Sequence, residues 1–276
     1  MRNKKNSIGI SCLFIGIFFL AHPQAFAGWE TGVKAGFDSN INRSLEDEKS
    51  DTYFSGYISF AREATGKSRL DWTLAASLEG TLFASLADLN YGMVGLAPGV
   101  TFFPHPVWSI NISPFVQAKA VQDSDQSAIA FGGKLGLKQQ IRNNLYTGQY
   151  YIYKDSRANA DTYSFTENVF GLFLGVNWTR ALFTEFGYEF SRGDSYRTIS
   201  TTSTAVSGRG MSRRYSTTFG SDVIREDVDQ HAFGINAGID WTKSLFSHLS
   251  YTYTTIKGDL GTSTAHAGFI GMGYRF

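Results

Sequence analysis

Residues 69–82 read "RLDWTLAASLEGTL". Leu70, Trp72, Leu74, Ala76, Leu78 and Leu82 fall on one parity. Arg69, Asp71, Thr73, Ser77, Glu79 and Thr81 fall on the other. A period of two marks a strand, because successive side chains along a strand point to opposite faces. The pattern recurs. In "WSINISPFVQAKA" (108–120), Trp108, Ile110, Ile112, Val116 and Ala118 oppose Ser109, Asn111, Ser113, Gln117 and Lys119. In "QHAFGINAGIDW" (230–241), Phe233, Ile235, Ala237, Ile239 and Trp241 oppose Gln230, Gly234, Asn236 and Asp240. These runs are about a dozen residues long, twice the usual globular strand. That length suits a tilted strand crossing a bilayer, which needs roughly 9–11 residues.

The start of the chain bears on the compartment. Arg2, Lys4 and Lys5 precede an apolar run from about Ile8 to Ala21, and Ala25-Phe26-Ala27 is a small-x-small cleavage site. Residues 1–27 read as a signal peptide for Sec export, which leaves 28–276 as the mature chain. Cys12 is the single cysteine and lies in the leader, so no disulfide is expected. The whole chain carries 25 Lys+Arg against 24 Asp+Glu, and three of the basic residues belong to the leader. That balance gives no sign of a nucleic-acid partner. With 23 Phe, 14 Tyr and only 5 Pro, the composition fits a soluble β-sandwich or an outer-membrane barrel.

The connectors decide between them. Segmentation at turn signals gives about twelve strands, with the ninth and tenth over 181–193 and 227–241. "ATGKS", "FPHPV", "IRNNL", "WTRAL" and "WTKSL" are tight connectors, and they alternate with mostly longer, more polar ones. Short periplasmic turns alternating with longer outer loops characterise bacterial barrels. Trp29, Trp72, Trp108, Trp178 and Trp241 all have the apolar parity and all fall near the chain start or a short turn, which predicts a periplasmic aromatic girdle. The expected fold is all-β: a transmembrane antiparallel up-and-down barrel of about twelve strands over 28–276, in the Gram-negative outer membrane.

The other parity faces the lumen. Its charged members are Glu30, Lys34, Asp38, Arg69, Asp71, Glu79, Lys119, Lys134, Lys138, Glu167, Glu185, Glu189, Asp240 and Arg275. Two readings follow: a narrow pore with a transverse field that orients polar solutes, or a plugged interior of paired charges. A long outer segment, about 194–226, carries Arg197, Arg209, Arg213, Arg214 and Arg225. It could constrict the pore, bind lipopolysaccharide phosphates, or stay solvated.

"GVKAGFDSNINRS" (32–44) resembles the first strand and loop of a broad group of outer-membrane porins, through Gly36, Asp38, Ser39, Asn40, Asn42 and Arg43. Similar openings occur in the barrels of surface-lipoprotein assembly modifiers and in barrels found with exopolysaccharide export. Gly271-x-x-Tyr274-x-Phe276 resembles the carboxy-terminal signal read by the barrel-assembly machinery. These resemblances imply a porin-like passive channel for small polar solutes. They also imply outer-membrane lipid, periplasmic chaperones and the assembly machinery as partners. The other reading is a structural barrel that binds envelope components, or an unidentified outer-membrane or export partner, through its outer loops. A lipid hydrolase is the remote reading. His248-x-Ser250 resembles the His-x-Ser pair of outer-membrane phospholipases and lipid A deacylases. However, its parity turns it into the lumen and it follows a periplasmic turn. No catalytic residue, metal site or cofactor is expected, since no pair of histidines has metal-ligand spacing.

Overall fold

Each alternating run becomes a strand of one sheet. The computed structural model describes residues 27–199 and 213–276. The expected leader, apart from Ala27, and Arg209 therefore lie outside the described residues. The strands are β1 (Ala27–Asp38), β2 (Asp51–Arg62), β3 (Leu70–Phe83), β4 (Tyr91–His105), β5 (Trp108–Val121), β6 (Ala128–Arg142), β7 (Leu145–Ala158), β8 (Phe165–Asn177), β9 (Leu182–Ile199), β10 (Arg213–Ser216), β11 (Ser221–Asp240), β12 (Leu245–Gly258) and β13 (Gly261–Arg275). All pairings are antiparallel. β1 pairs with β2 and with β13, and β9 pairs with β11 across β10. All strands except β10 thus close a barrel, and β10 pairs only with the first residues of β11. Closure leaves the strands of the barrel itself no open edge, the condition for a sheet to sit in hydrocarbon.

The apolar face points outward. Leu78, Ile112 and Ile270 are 56 %, 60 % and 62 % exposed, within a continuous belt of such side chains. Water would not tolerate that surface on a monomer, but lipid does. Trp29, Trp72, Trp178 and Trp241 are exposed on the rim that carries the tight turns, and Trp108 is half-buried on the same rim. The loop-length rule expects that rim on the periplasmic side, and the opposite rim, with the longer connections, is termed the outer mouth.

The buried apolar core lies in the outer mouth, not mid-barrel. Ile41, Leu89, Tyr163 and Phe219, from four different connections, pack with Phe83, Ala160, Tyr196 and Val223. Three of the outer connections contain single-turn 3-10 helices: Ala87–Leu89, Ser124–Gln126 and Asp161–Tyr163. Together the loops form a roof over the mouth.

Residues 38–44 anchor this roof. The Asn40 N–H donates to Asp38 Oδ1 (2.9 Å), and Asn40 Nδ2 donates to the carbonyls of Ser44 (3.0 Å) and Thr264 (2.9 Å). Ser39 Oγ accepts from the His266 N–H (2.8 Å). Asn42 Nδ2 donates to Thr198 Oγ1 (2.9 Å), far around the rim on β9. Arg43 has φ +53° and pairs with Asp38 at 3.2 Å.

In place of the long loop expected over 194–226, strands occupy both ends of that segment. β9 runs on to Ile199, and β11 already begins at Ser221. The two strands stay in register beyond the barrel, from Gly193↔Val228 to Ile199↔Asp222. The polar side chains of this stretch hid the continuation.

Candidate functional site

The lumen wall from β6 to β9 carries a ladder built by register. Gly136, Tyr150, Gly171 and Glu189 lie opposite one another on consecutive strands. Four residues along, Tyr146, Gly175 and Glu185 do the same. The β8 glycines make the rungs possible, because each tyrosine lies flat across its glycine to reach β9. A Cβ on Gly171 would stand 2.1 Å from the Tyr150 ring, and one on Gly175 2.0 Å from the Tyr146 ring. Tyr146 Oη donates to Glu185 (3.3 Å), and Tyr150 Oη donates to Glu189. From β6, the ammonium of Lys138 sits 4.3 Å above the Tyr146 ring and that of Lys134 4.8 Å above the Tyr150 ring. Each rung therefore runs cation, ring, hydroxyl, carboxylate. Nearer the outer mouth, register sets Lys154 opposite Glu167, and both are buried.

A second set of charges lines β11, β13 and β1 to β5. Arg275 joins Asp240 (2.8 Å) and Glu30 (3.4 Å). Tyr57 Oη donates to Glu30 (2.9 Å). Lys34 pairs with Glu79 (2.9 Å), which also accepts from Tyr91 Oη (3.1 Å). Lys119 lies 4.2 Å above the Tyr91 ring. The remaining inward positions of β2 to β4 are mostly small, including Ser59, Ala75, Ser77, Gly95 and Ala97. On β6, a Cβ built on Gly136 would meet nothing within 4 Å, so the wall there faces open space.

Lys34, Glu79, Lys119, Lys134, Lys138, Glu167, Glu185, Glu189 and Asp240 accordingly all sit on the inner face. Arg69 and Asp71 do not line the lumen. Arg69 is exposed in the β2–β3 turn, where its carbonyl accepts from the Phe103 N–H. Asp71 staples that turn, taking the Thr65 N–H (2.7 Å), the Thr65 hydroxyl (2.8 Å) and Arg62 (3.1 Å). The first inward position of a strand lies at the rim, where turn donors capture a carboxylate. Glu63, in the same turn, does reach inward. Burial pushes its carboxyl up to about 7, against the pull of Lys138 and Arg275.

The roof arginines are not a free anion-binding cluster. Arg197 is fully buried, pairs with Glu226 at 2.8 Å, and donates to the Gly261 carbonyl at 2.9 Å. Arg213 pairs with Asp222 and Arg214 with Asp125, while Arg225 reaches Asp194 (2.7 Å) and Asp161 (3.4 Å). Beneath Arg214, Asp123 is fully buried. Its Oδ1 accepts from the Asp125 N–H, its Oδ2 has no partner, and burial pushes the carboxyl up to about 7.

On β13, Tyr274 and Phe276 are exposed on the outer face with rings 5.1 Å apart, and the Phe276 N–H donates to the Trp29 carbonyl. Gly271 faces inward beneath His248. His248 packs between Phe246 and Phe269, with Nδ1 unpartnered, so the His-x-Ser pair faces the lumen and not lipid. His231 and His266 face outward and bond Tyr188 and Tyr251, each at 2.8 Å.

This closed, inward-charged barrel has solved counterparts. An outer membrane channel from Pseudomonas putida F1 superposes with a TM-score of 0.61 at 8 % identity, over 92 % of this chain and 98 % of that one. A KdgM porin in complex with disordered oligogalacturonate gives 0.54 at 8 %, over 90 % and 99 %. The NanC porin gives 0.52 at 10 %, over 89 % and 100 %. At these identities the likeness establishes the fold, that of an outer-membrane β-barrel. No family model matches the chain, and no curated protein matches it in sequence.

The sequence reading missed the tyrosines of the ladder and Lys154. The signal was available: Lys134 and Lys138, Tyr146 and Tyr150, Gly171 and Gly175, and Glu185 and Glu189 all repeat at a spacing of four on one parity.

Proposed function

We propose that the protein is a narrow passive channel for small polar solutes across the Gram-negative outer membrane, with its outer mouth closed by the roof in this conformation. One observation carries the reading. A Cβ on the inward-facing Gly136 would meet nothing within 4 Å, so the charged, hydrogen-bonded wall leaves open space there, whereas a purely structural barrel would fill it with side chains. The porin and channel neighbours support the same reading at the level of fold. The roof favours a second role as well, a rigid outer surface presented to an envelope component or partner protein. Sec export, contact with lipopolysaccharide, and delivery by periplasmic chaperones to the assembly machinery through Gly271, Tyr274 and Phe276 belong to the proposal.

Single-channel recording in a planar bilayer tests it. Discrete openings are expected, and they should lengthen when Phe219→Ala loosens the roof. A correctly folded, heat-modifiable barrel that stays silent with and without that substitution would leave only the surface role.

A further inference from the structure

Resting on the channel reading, we infer that the permeant solute is uncharged overall and polyhydroxylated, and that Glu185 and Glu189 set this choice. Arg275 lies between two carboxylates and Lys34 against one. Lys154 stands opposite Glu167. Lys134 and Lys138 lie over tyrosines whose hydroxyls bond Glu189 and Glu185. Charges of opposite sign set beside one another around the wall leave local dipoles, not a column of one sign that could draw an ion along the axis. An ion entering would lose hydration without gaining a counter-charge, since each is already engaged.

A hydroxylated solute meets the opposite situation. Glu189 is half-buried, and its carboxylate retains lone pairs beyond the one used by Tyr150; Glu185 is buried and acts by fixing Tyr146 and the charge balance. Phe173, half-exposed to the lumen and 6.2 Å and 6.4 Å from the Tyr146 and Tyr150 rings, offers an apolar face beside them. Carboxylate acceptors next to an aromatic face match the hydroxyl edges and C–H faces of a sugar ring. The two glutamates also hold the charge balance, because without them Lys134 loses both of its carboxylates and Lys138 keeps only Glu63.

The test uses the full chain in liposomes and planar bilayers, with sorbitol, gluconate and glucosamine as neutral, anionic and cationic probes of similar size. Sorbitol should enter about threefold faster or more than either ion, and a potassium chloride gradient should give permeability ratios within about twofold. The double substitution Glu185→Gln, Glu189→Gln should shift the ratio about fivefold or more toward chloride and speed gluconate relative to sorbitol. Strong native selectivity for either ion, or equal entry of all three probes, overturns the inference while leaving a channel. An unchanged ratio in the folded double variant removes Glu185 and Glu189 from the role. Absence of both current and swelling would instead bring down the channel reading, and this inference with it.

Discussion

Acid should tighten the roof, and Asp123 should be the reason. Its carboxyl is buried in the β5–β6 loop among Asp125, Asp88 and Arg214, with Tyr163 packed close by. Burial raises it from an ordinary 3.8 to about 7. A raised value means that the closed roof prefers the protonated form. Stabilisation of the closed state is therefore full below the ordinary value and is lost as pH rises through about 7. Each pH unit between the two values is worth at most about 1.4 kcal/mol of closure. Ser216 is fully buried in the roof and its neighbour Tyr215 is exposed, which supplies a matched pair of reporters. Ser216→Cys and Tyr215→Cys would be labelled with a maleimide from pH 5 to pH 8. Their rate ratio cancels the chemistry of the thiol itself. One proton released per opening makes that ratio climb by up to about tenfold per pH unit until it levels near neutrality. Asp123→Asn should abolish the slope. A flat ratio in the native background, or an equal slope in Asp123→Asn, would refute the reasoning.

Other outcomes follow from the wall and the roof. Gly171→Ala or Gly175→Ala should displace a ladder tyrosine and cost about 1–3 kcal/mol in urea unfolding from lipid, while Gly136→Ala should change stability by less than about 0.5 kcal/mol. Arg197→Ala strands Glu226 in a dry site and should cost about 3–5 kcal/mol of roof stability, read as faster proteolysis of the outer loops. Replacing both partners, Arg197→Met with Glu226→Leu, should recover most of it. Leu78→Arg places a charge in the outward belt and should cost about 2–4 kcal/mol, measured by the same urea titration.

Alternation made the barrel legible because parity alone separates lipid from lumen. Leu78 and Glu79 needed nothing more. The ladder was less accessible, since parity reports the face a residue occupies and not which residue stands opposite it. Only the register setting Tyr150 against Gly171 and Glu189 turns spaced residues into a rung. The roof was least legible. Ile41, Leu89 and Phe219 are single apolar residues in polar stretches, and their partners are distant in sequence. Tyr196 Oη, for example, bonds the Ile41 carbonyl across 155 positions. The polar ends of β9 and β11 read as loop for the same reason: outside the lipid zone a strand needs no apolar parity. Arg69 and Asp71 had the right parity but lie where the wall gives way to a turn.

The seam between β1 and β13 has a consequence in time. Glu30 and Arg275 meet although 245 positions apart, and every pairing of β1 with β13 depends on the last strand of the barrel. Bringing such distant ends together costs about 5 kcal/mol of chain entropy before any seam contact repays it. Until then the growing sheet has two sticky flanks, each able to join a neighbour's chain in place of its own. The interval between emergence of β1 and arrival of β13 is therefore when the chain is most vulnerable, and slowing synthesis or delivery over the final strand should raise aggregation more than an equal delay anywhere earlier.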